Sequence, residues 1–177
     1  MQNEIILITE RLIIREANLS DSKFIFDLLN TPKWIKYIGD RGIKTLKNAE
    51  DYINDKIINS YKTNGYGLYI FELKESHIPI GLCGFIKRDY LDSEDIGFAL
   101  LPDYERKGYT FEAAAAVLKY GESQFGLTKV CAITSKGNIA LFACPAAAVS
   151  LAKFVGLAKA SPVKSKLYLS VMEISSE

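Results

Sequence analysis

The chain has 177 residues, 49% of them hydrophobic and 24% charged, with a formal net charge of +1. That length suits one domain with a substantial core, and the near-neutral charge gives no electrostatic basis for a nucleic-acid or membrane partner. Three cysteines without C-x-x-C spacing and a single histidine, His77, argue against a metal site and read as the residues of a reducing, cytoplasmic compartment.

The opening, MQNEIILITERL, lacks the basic-then-apolar layout of a secretion signal. Residues 5–15 are rich in β-branched side chains and predict the first strand. Ser20 or Asp21 caps a helix to about residue 30, with Phe24, Leu28 and Leu29 on one face. Thr31-Pro32 breaks it; residues 34–38 predict a short helix and 39–42 a loop. Thr45 caps a longer helix to about residue 63, where Leu46, Ala49, Ile53, Ile57 and Tyr61 recur at helical spacing. Asn64-Gly65 ends it. Residues 66–73, 78–87 and 94–101 predict three strands joined by the turns KESH and RDYLDS, hence an antiparallel meander. A helix from about 107 to 125 stops at Gly126. The strand at 129–134 must lie parallel to 94–101, because a full helix crosses between them. Asn138 starts a further helix, and 167–174 is a final strand. The longest nearly apolar run, 139–149, is too short to span a bilayer and contains Pro145. The order β-α-α-α-β-β-β-α-β-α-β predicts one α/β domain over residues 1–177, a mixed, mostly antiparallel sheet with helices on both faces.

One stretch, DIGFALLPDYERKGYTFEAAAAVLKY at 95–120, carries chemistry. A strand runs through a Pro102-Asp103 turn into Arg106-Lys107-Gly108, and an alanine-rich helix opens there. The first N–H groups of a helix lack intrahelical partners, and the helix dipole adds about half a positive charge, so this is a place for a phosphate. Gly108 lets backbone approach a ligand closely. The spacing is neither a P-loop nor a dinucleotide fingerprint: the only G-x-G, Gly65-Tyr66-Gly67, lacks a third glycine and does not precede a helix.

ALLPDYERKGYTFEAA resembles the pyrophosphate motif Q/R-x-x-G-x-G/A of the GNAT N-acetyltransferases. TERLIIREANLSD at 9–21 and IGLCGFIKRD at 80–89 are similar to the RimJ/RimL branch, and the likeness covers about residues 7 to 138. Two motif positions depart, Glu105 in place of Gln or Arg and Thr110 in place of Gly or Ala. The resemblance implies an acetyl-CoA-dependent N-acetyltransferase, with acetyl-CoA as co-substrate and an amine acceptor as partner, a protein N-terminus or a small molecule. It implies a monomer or homodimer and no metal. It also implies that the motif strand splays from its parallel neighbour to admit the pantetheine arm. The rival is a degenerate GNAT domain that binds acyl-CoA as a sensor or interaction module.

By that resemblance the phosphates meet the turn formed by Arg106, Lys107, Gly108, Tyr109 and Thr110. The backbone of Phe98, Ala99 and Leu100 pairs with pantetheine as a strand would, and one N–H there serves the oxyanion. Asn138 contacts the CoA arm or caps its helix. Acetyl transfer needs a neutral amine, so a carboxylate that removes its proton helps. Asp95 is the candidate, as base or water anchor; its alternative is a solvated carboxylate near a strand start. Trp34 and Tyr37 line the acceptor side or cover the core. His77 reads as a surface turn residue. No general acid can be named: Leu141 stands three residues after Asn138, and the alanine-rich segment 141–160 replaces the charged amphipathic helix and Gly-Phe pair of the family.

Overall fold

In the computed structural model the described residues are 4–135, 152–155, 159–160 and 166–174, with side chains described through 133. The elements are β1 (Ile5–Ile8), β2 (Leu12–Arg15), α1 (Ser22–Leu29), α2 (Pro32–Tyr37), α3 (Leu46–Tyr52), α4 (Asn59–Asn64), β3 (Leu68–Leu73), β4 (Pro79–Ile86), β5 (Glu94–Leu100), α5 (Tyr109–Phe125), β6 (Lys129–Ser135), β7 (Ala152–Val155), β8 (Lys159–Ala160) and β9 (Lys166–Ile174). The nine strands form one sheet in the order β1-β2-β3-β4-β5-β6-β9-β7, with β8 also beside β9. Only the β5–β6 pair is parallel. The α/β class, the mixed sheet and the parallel pair are as the sequence predicts.

Two elements differ. The expected single strand at 5–15 is a hairpin, because Thr9 turns the chain: its N–H donates to the Leu12 carbonyl at 2.9 Å and its Oγ1 accepts the Leu12 N–H at 3.0 Å. β7 and β8 lie in the alanine-rich region, where no strand was expected. The helix expected from Asn138 lies outside the described residues.

Strand alternation divides the core between the two faces. On one face Tyr69, Phe71 and Phe85 join Leu12, Ile14, Val117 and Leu118 beneath α5. On the other, Ile70 and Leu82 meet Ile25, Leu28, Leu29, Ile53 and Ile57 of the α1–α4 layer. Thr45 caps α3 by accepting the Asn48 N–H at 3.1 Å. The helix continues through a π-helical stretch, Ile53–Ile58, into α4. Ile53 and Ile57, the two β-branched positions of that stretch facing the sheet, are buried.

A buried charge group pins α1 to the sheet. Arg15 donates to Asp21 at 2.8 and 3.0 Å and to Glu72 at 2.8 Å. All three are no more than 6% exposed. Asp21 also accepts the Asn18 N–H at 2.9 Å, closing the capping box ahead of α1. His77 Nδ1 lies 2.9 Å from the outer Glu72 oxygen. Removing Arg15 would leave two carboxylates unpaired in the interior, a loss of about 3–5 kcal/mol. Among the described residues no helix is long and apolar enough to cross a membrane.

Candidate active site

β5 and β6 open into a V. β5 pairs with β4 along its whole length, from Asp95 opposite Ile86 to Leu100 opposite Gly81. On its other side it pairs with β6 only at Glu94–Val130 and Asp95–Cys131. Among the described residues, Phe98, Ala99 and Leu100 therefore have a strand partner on one side and none on the other. They are half-buried, whereas Asp95 and Ile96 at the apex are buried.

Asp95 closes the apex with its side chain. It is 2% exposed, so the solvated-carboxylate alternative is overturned. One oxygen takes Arg88, at 2.7 Å from Nε and 2.6 Å from Nη2. The other accepts the Ile133 N–H at 3.2 Å. Two residues past the last paired β6 position, that N–H finds a carboxylate in place of a backbone carbonyl. The β6–β9 register also shifts between Cys131 and Ala132, where β6 turns away. Next to it, Glu94 accepts from the Tyr66 hydroxyl at 2.8 Å and from Lys87 at 3.1 Å. Burial pushes the Glu94 carboxyl up, but the bonds from Tyr66 and Lys87 outweigh it and hold the group below the usual carboxylate range. A group so held is a poor base.

At the open end of the V, β5 runs through a 3-10 turn, Pro102–Tyr104, to the start of α5. Arg106 and Gly108 both take left-handed φ, at 61° and 81°. Alternating backbone of this kind aims consecutive N–H groups into one concavity. Gly108 is the N-cap of α5 and no side chain caps the first turn, so the amides at Tyr109 and Thr110 are not taken up by a cap. Lys107 donates to the Asp103 carbonyl at 2.9 Å and rests on the Tyr104 ring. The five residues named for the phosphate thus lie together at the N-terminus of a 17-residue helix.

Two features of this turn were not legible in the sequence. The Glu105 carboxylate is paired with Lys33 of α2. Arg11, from the β1–β2 turn, reaches across to α5: Nε donates to Glu112 at 2.7 Å, Nη1 donates to the Lys107 carbonyl at 2.9 Å, and the guanidinium sits 4.6 Å from the centre of the Tyr109 ring. Glu112 also accepts the Arg11 N–H at 2.8 Å and the Thr9 hydroxyl at 2.7 Å. Burial pushes the Glu112 carboxyl up; the hydrogen bonds from Thr9 and Arg11 together bring it below its ordinary 4.5.

On α2, Trp34 is 6% exposed and packs in the core layer beneath α1–α4. Its Nε1 is buried without a hydrogen-bond partner among the described residues. Tyr37 is half-buried, with Lys36 over its ring. Asn138 lies outside the described residues. Cys83 and Cys131 are buried, and neither forms a disulfide among the described residues.

The family model of the acetyltransferase (GNAT) domain matches residues 11–146. The chain belongs to the GNAT acetyltransferase family. The uncharacterized N-acetyltransferase YnaD of Bacillus subtilis is 29% identical over 131 residues, 74% of each chain. The fold also matches RimL, the ribosomal L7/L12 alpha-N-protein acetyltransferase, at 14% identity and a TM-score of 0.75, covering 98% of this chain and 96% of that one. It matches the microcin C7 self-immunity acetyltransferase MccE, in complex with acetyl-CoA and AMP, at 15% identity and a TM-score of 0.72, with 94% of each chain covered. These two likenesses are of the GNAT fold.

Proposed function

We propose that this GNAT chain is an acetyl-CoA-dependent N-acetyltransferase of the RimJ/RimL type, acting on a primary amine in the cytoplasm. The observation that carries the reading is the V between β5 and β6 opening onto an uncapped helix N-terminus. A pantetheine arm laid in the V would hydrogen-bond to the free side of Phe98, Ala99 and Leu100 as a strand does, with the pyrophosphate at Arg106, Lys107, Gly108, Tyr109 and Thr110. The MccE complex with acetyl-CoA supports the cofactor assignment by likeness of fold.

The amine then attacks the thioester carbonyl directly. A backbone N–H in the V stabilises the oxyanion; the C–N bond forms, the C–S bond breaks, CoA leaves as its thiolate, and the proton lost by the amine passes through solvent to that thiolate. Asp95 sets the strand spacing beside the thioester. Its further service as base or water anchor requires an amine, or its water, to reach a carboxylate already held by Arg88 and Ile133. Tyr37, half-buried, offers an aromatic face to the acceptor, and Trp34, buried in the core layer, supports α2 from behind.

Thermal shift with acetyl-CoA, followed by release of free CoA thiol with a panel of amines, tests the proposal. An enzyme shows both responses. Stabilisation by acetyl-CoA without thiol release across peptide N-termini, polyamines, amino acids and aminoglycosides would make the chain an acyl-CoA sensor. No thermal shift would remove the cofactor assignment. Gly108→Asp, which puts bulk at a left-handed position and a negative charge at the turn, should abolish the shift in a protein that still folds.

A further inference from the structure

We infer that Arg11 is the side-chain ligand of the cofactor phosphates, a residue outside the motif that supplies the cation the motif has lost. The inference rests on the cofactor reading above. Its ground is a comparison of the cations around the turn. Glu105 occupies the motif position where Gln or Arg is expected, and its carboxylate is neutralised by Lys33. Lys107 is committed to the Asp103 carbonyl and the Tyr104 ring. Arg106 is exposed, and among the described residues no hydrogen bond or ion pair fixes its side chain in place.

Arg11 is differently placed. Two of its nitrogens are used for fixing it: Nε is held by Glu112 and Nη1 by the Lys107 carbonyl. The ring of Tyr109 covers one face of the guanidinium. The third nitrogen, Nη2, has no hydrogen-bond partner among the described residues, and it lies 3.3 Å from where a Cβ on Gly108 would stand. The side chain is 43% exposed. A planar fork anchored through two donors presents the remaining one with little loss of freedom, which suits phosphate recognition better than a mobile lysine. Gly108 lacks a side chain where the guanidinium comes close, so a ligand oxygen over the turn amides can also meet Nη2. The bracing is also long-range: the backbone N–H and side chain of Arg11 both bind Glu112, one helical turn into α5.

The test is CoA titration by calorimetry with the wild-type chain, Arg11→Gln and Arg11→Lys. One charged hydrogen bond to phosphate is worth about tenfold in affinity. Arg11→Gln should weaken CoA about tenfold or more, and Arg11→Lys less. S-acetyl-pantetheine, which carries neither the pyrophosphate nor the 3′-phosphate, separates contact from general damage. Its kcat/KM as acetyl donor should be the same in wild type and Arg11→Gln, whereas that of acetyl-CoA falls; an equal fall for both donors would mean that Arg11 only shapes the fold. If Arg11→Gln does not fold, the wild-type protein still answers: CoA should protect Arg11 from phenylglyoxal, read by peptide mass spectrometry, and unchanged modification overturns the contact. Unaltered CoA affinity in a folded Arg11→Gln removes this inference and leaves the cofactor reading standing. A wild-type chain that binds no CoA removes both.

Discussion

Asp95→Asn separates two roles that one carboxylate can hold. The substitution keeps the shape but removes the charge facing Arg88 and brings an NH2 group among donors. One end of the amide must then meet either the guanidinium or the Ile133 N–H. Breaking a fully buried ion pair from one side costs about 3–5 kcal/mol. Here the Asp95 side chain is 3% exposed but that of Arg88 is 28% exposed, so Arg88 can recover part of its hydration. A loss of about 2–3 kcal/mol is expected, or a Tm lower by about 5–10 °C for a chain of this size. Urea unfolding measures it, and a double-mutant cycle with Arg88→Met should return most of the loss as coupling. An unfolding midpoint within about 0.5 kcal/mol of wild type would refute the argument that this pair holds the apex. The rate answers the second question. If Asp95 also deprotonates the acceptor, turnover falls by about 10²-fold near neutral pH, and the deficit shrinks as pH approaches the amine pKa of about 8 to 10. A deficit that stays constant with pH assigns Asp95 to positioning alone.

The remaining predictions concern the phosphate turn. Glu105→Gln removes a carboxylate from the edge of the site, so CoA affinity should stay equal or rise in calorimetry; a large loss would mean that the Lys33 pair shapes the turn. Arg106 holds a left-handed φ at a cost of about 1–2 kcal/mol that glycine avoids, while glycine adds about 0.5–1 kcal/mol of unfolded-state entropy. Arg106→Gly should therefore leave urea stability within about 1 kcal/mol of wild type, and a larger drop would give the Arg106 side chain a structural contact. Glu112 has a depressed folded pKa, so its contribution to stability is complete above 4.5 and is lost as pH falls through the folded value. Glu112→Gln should be less stable than wild type at pH 7 and should narrow that gap below pH 4; a gap unchanged with pH would refute the charge-based account of this residue.

How much of this was legible in the sequence followed the range of each interaction. The turn at 106–110 leading into α5 was visible because strand, glycine and helix start are contiguous, and chirality made β6 parallel once a helix separated it from β5. The hairpin in 5–15 was hidden because Thr9, Glu10 and Arg11 interrupt a β-branched run too briefly to look like a turn. The π-helical stretch left no mark either, since Ile53 and Ile57 fit helical spacing in both forms. Arg11 and Glu112 are hydrogen-bonded yet separated by 101 positions, and nothing local in either segment announces the other. Trp34 suits a substrate face or the core equally well by sequence; it lies in the core, and its indole N–H has no hydrogen-bond partner among the described residues.

The link from Thr9 and Arg11 to Glu112 also bears on when the site exists during folding. The turn itself is local, but its brace closes a loop of about a hundred residues, an entropic cost that is met only after intervening contacts shorten the effective loop. A nascent chain has the glycine turn and the start of α5 before it can have the brace, and the β1–β2 hairpin must dock before Arg11 reaches the Lys107 carbonyl. Pulsed hydrogen exchange during refolding should accordingly show the Arg11 amide, which donates to Glu112, gaining protection after the amides of β3 and β4; simultaneous protection would contradict this order. The geometry of that turn is in this sense a report on long-range folding, since β1 and β2 are needed to brace a turn about a hundred residues later.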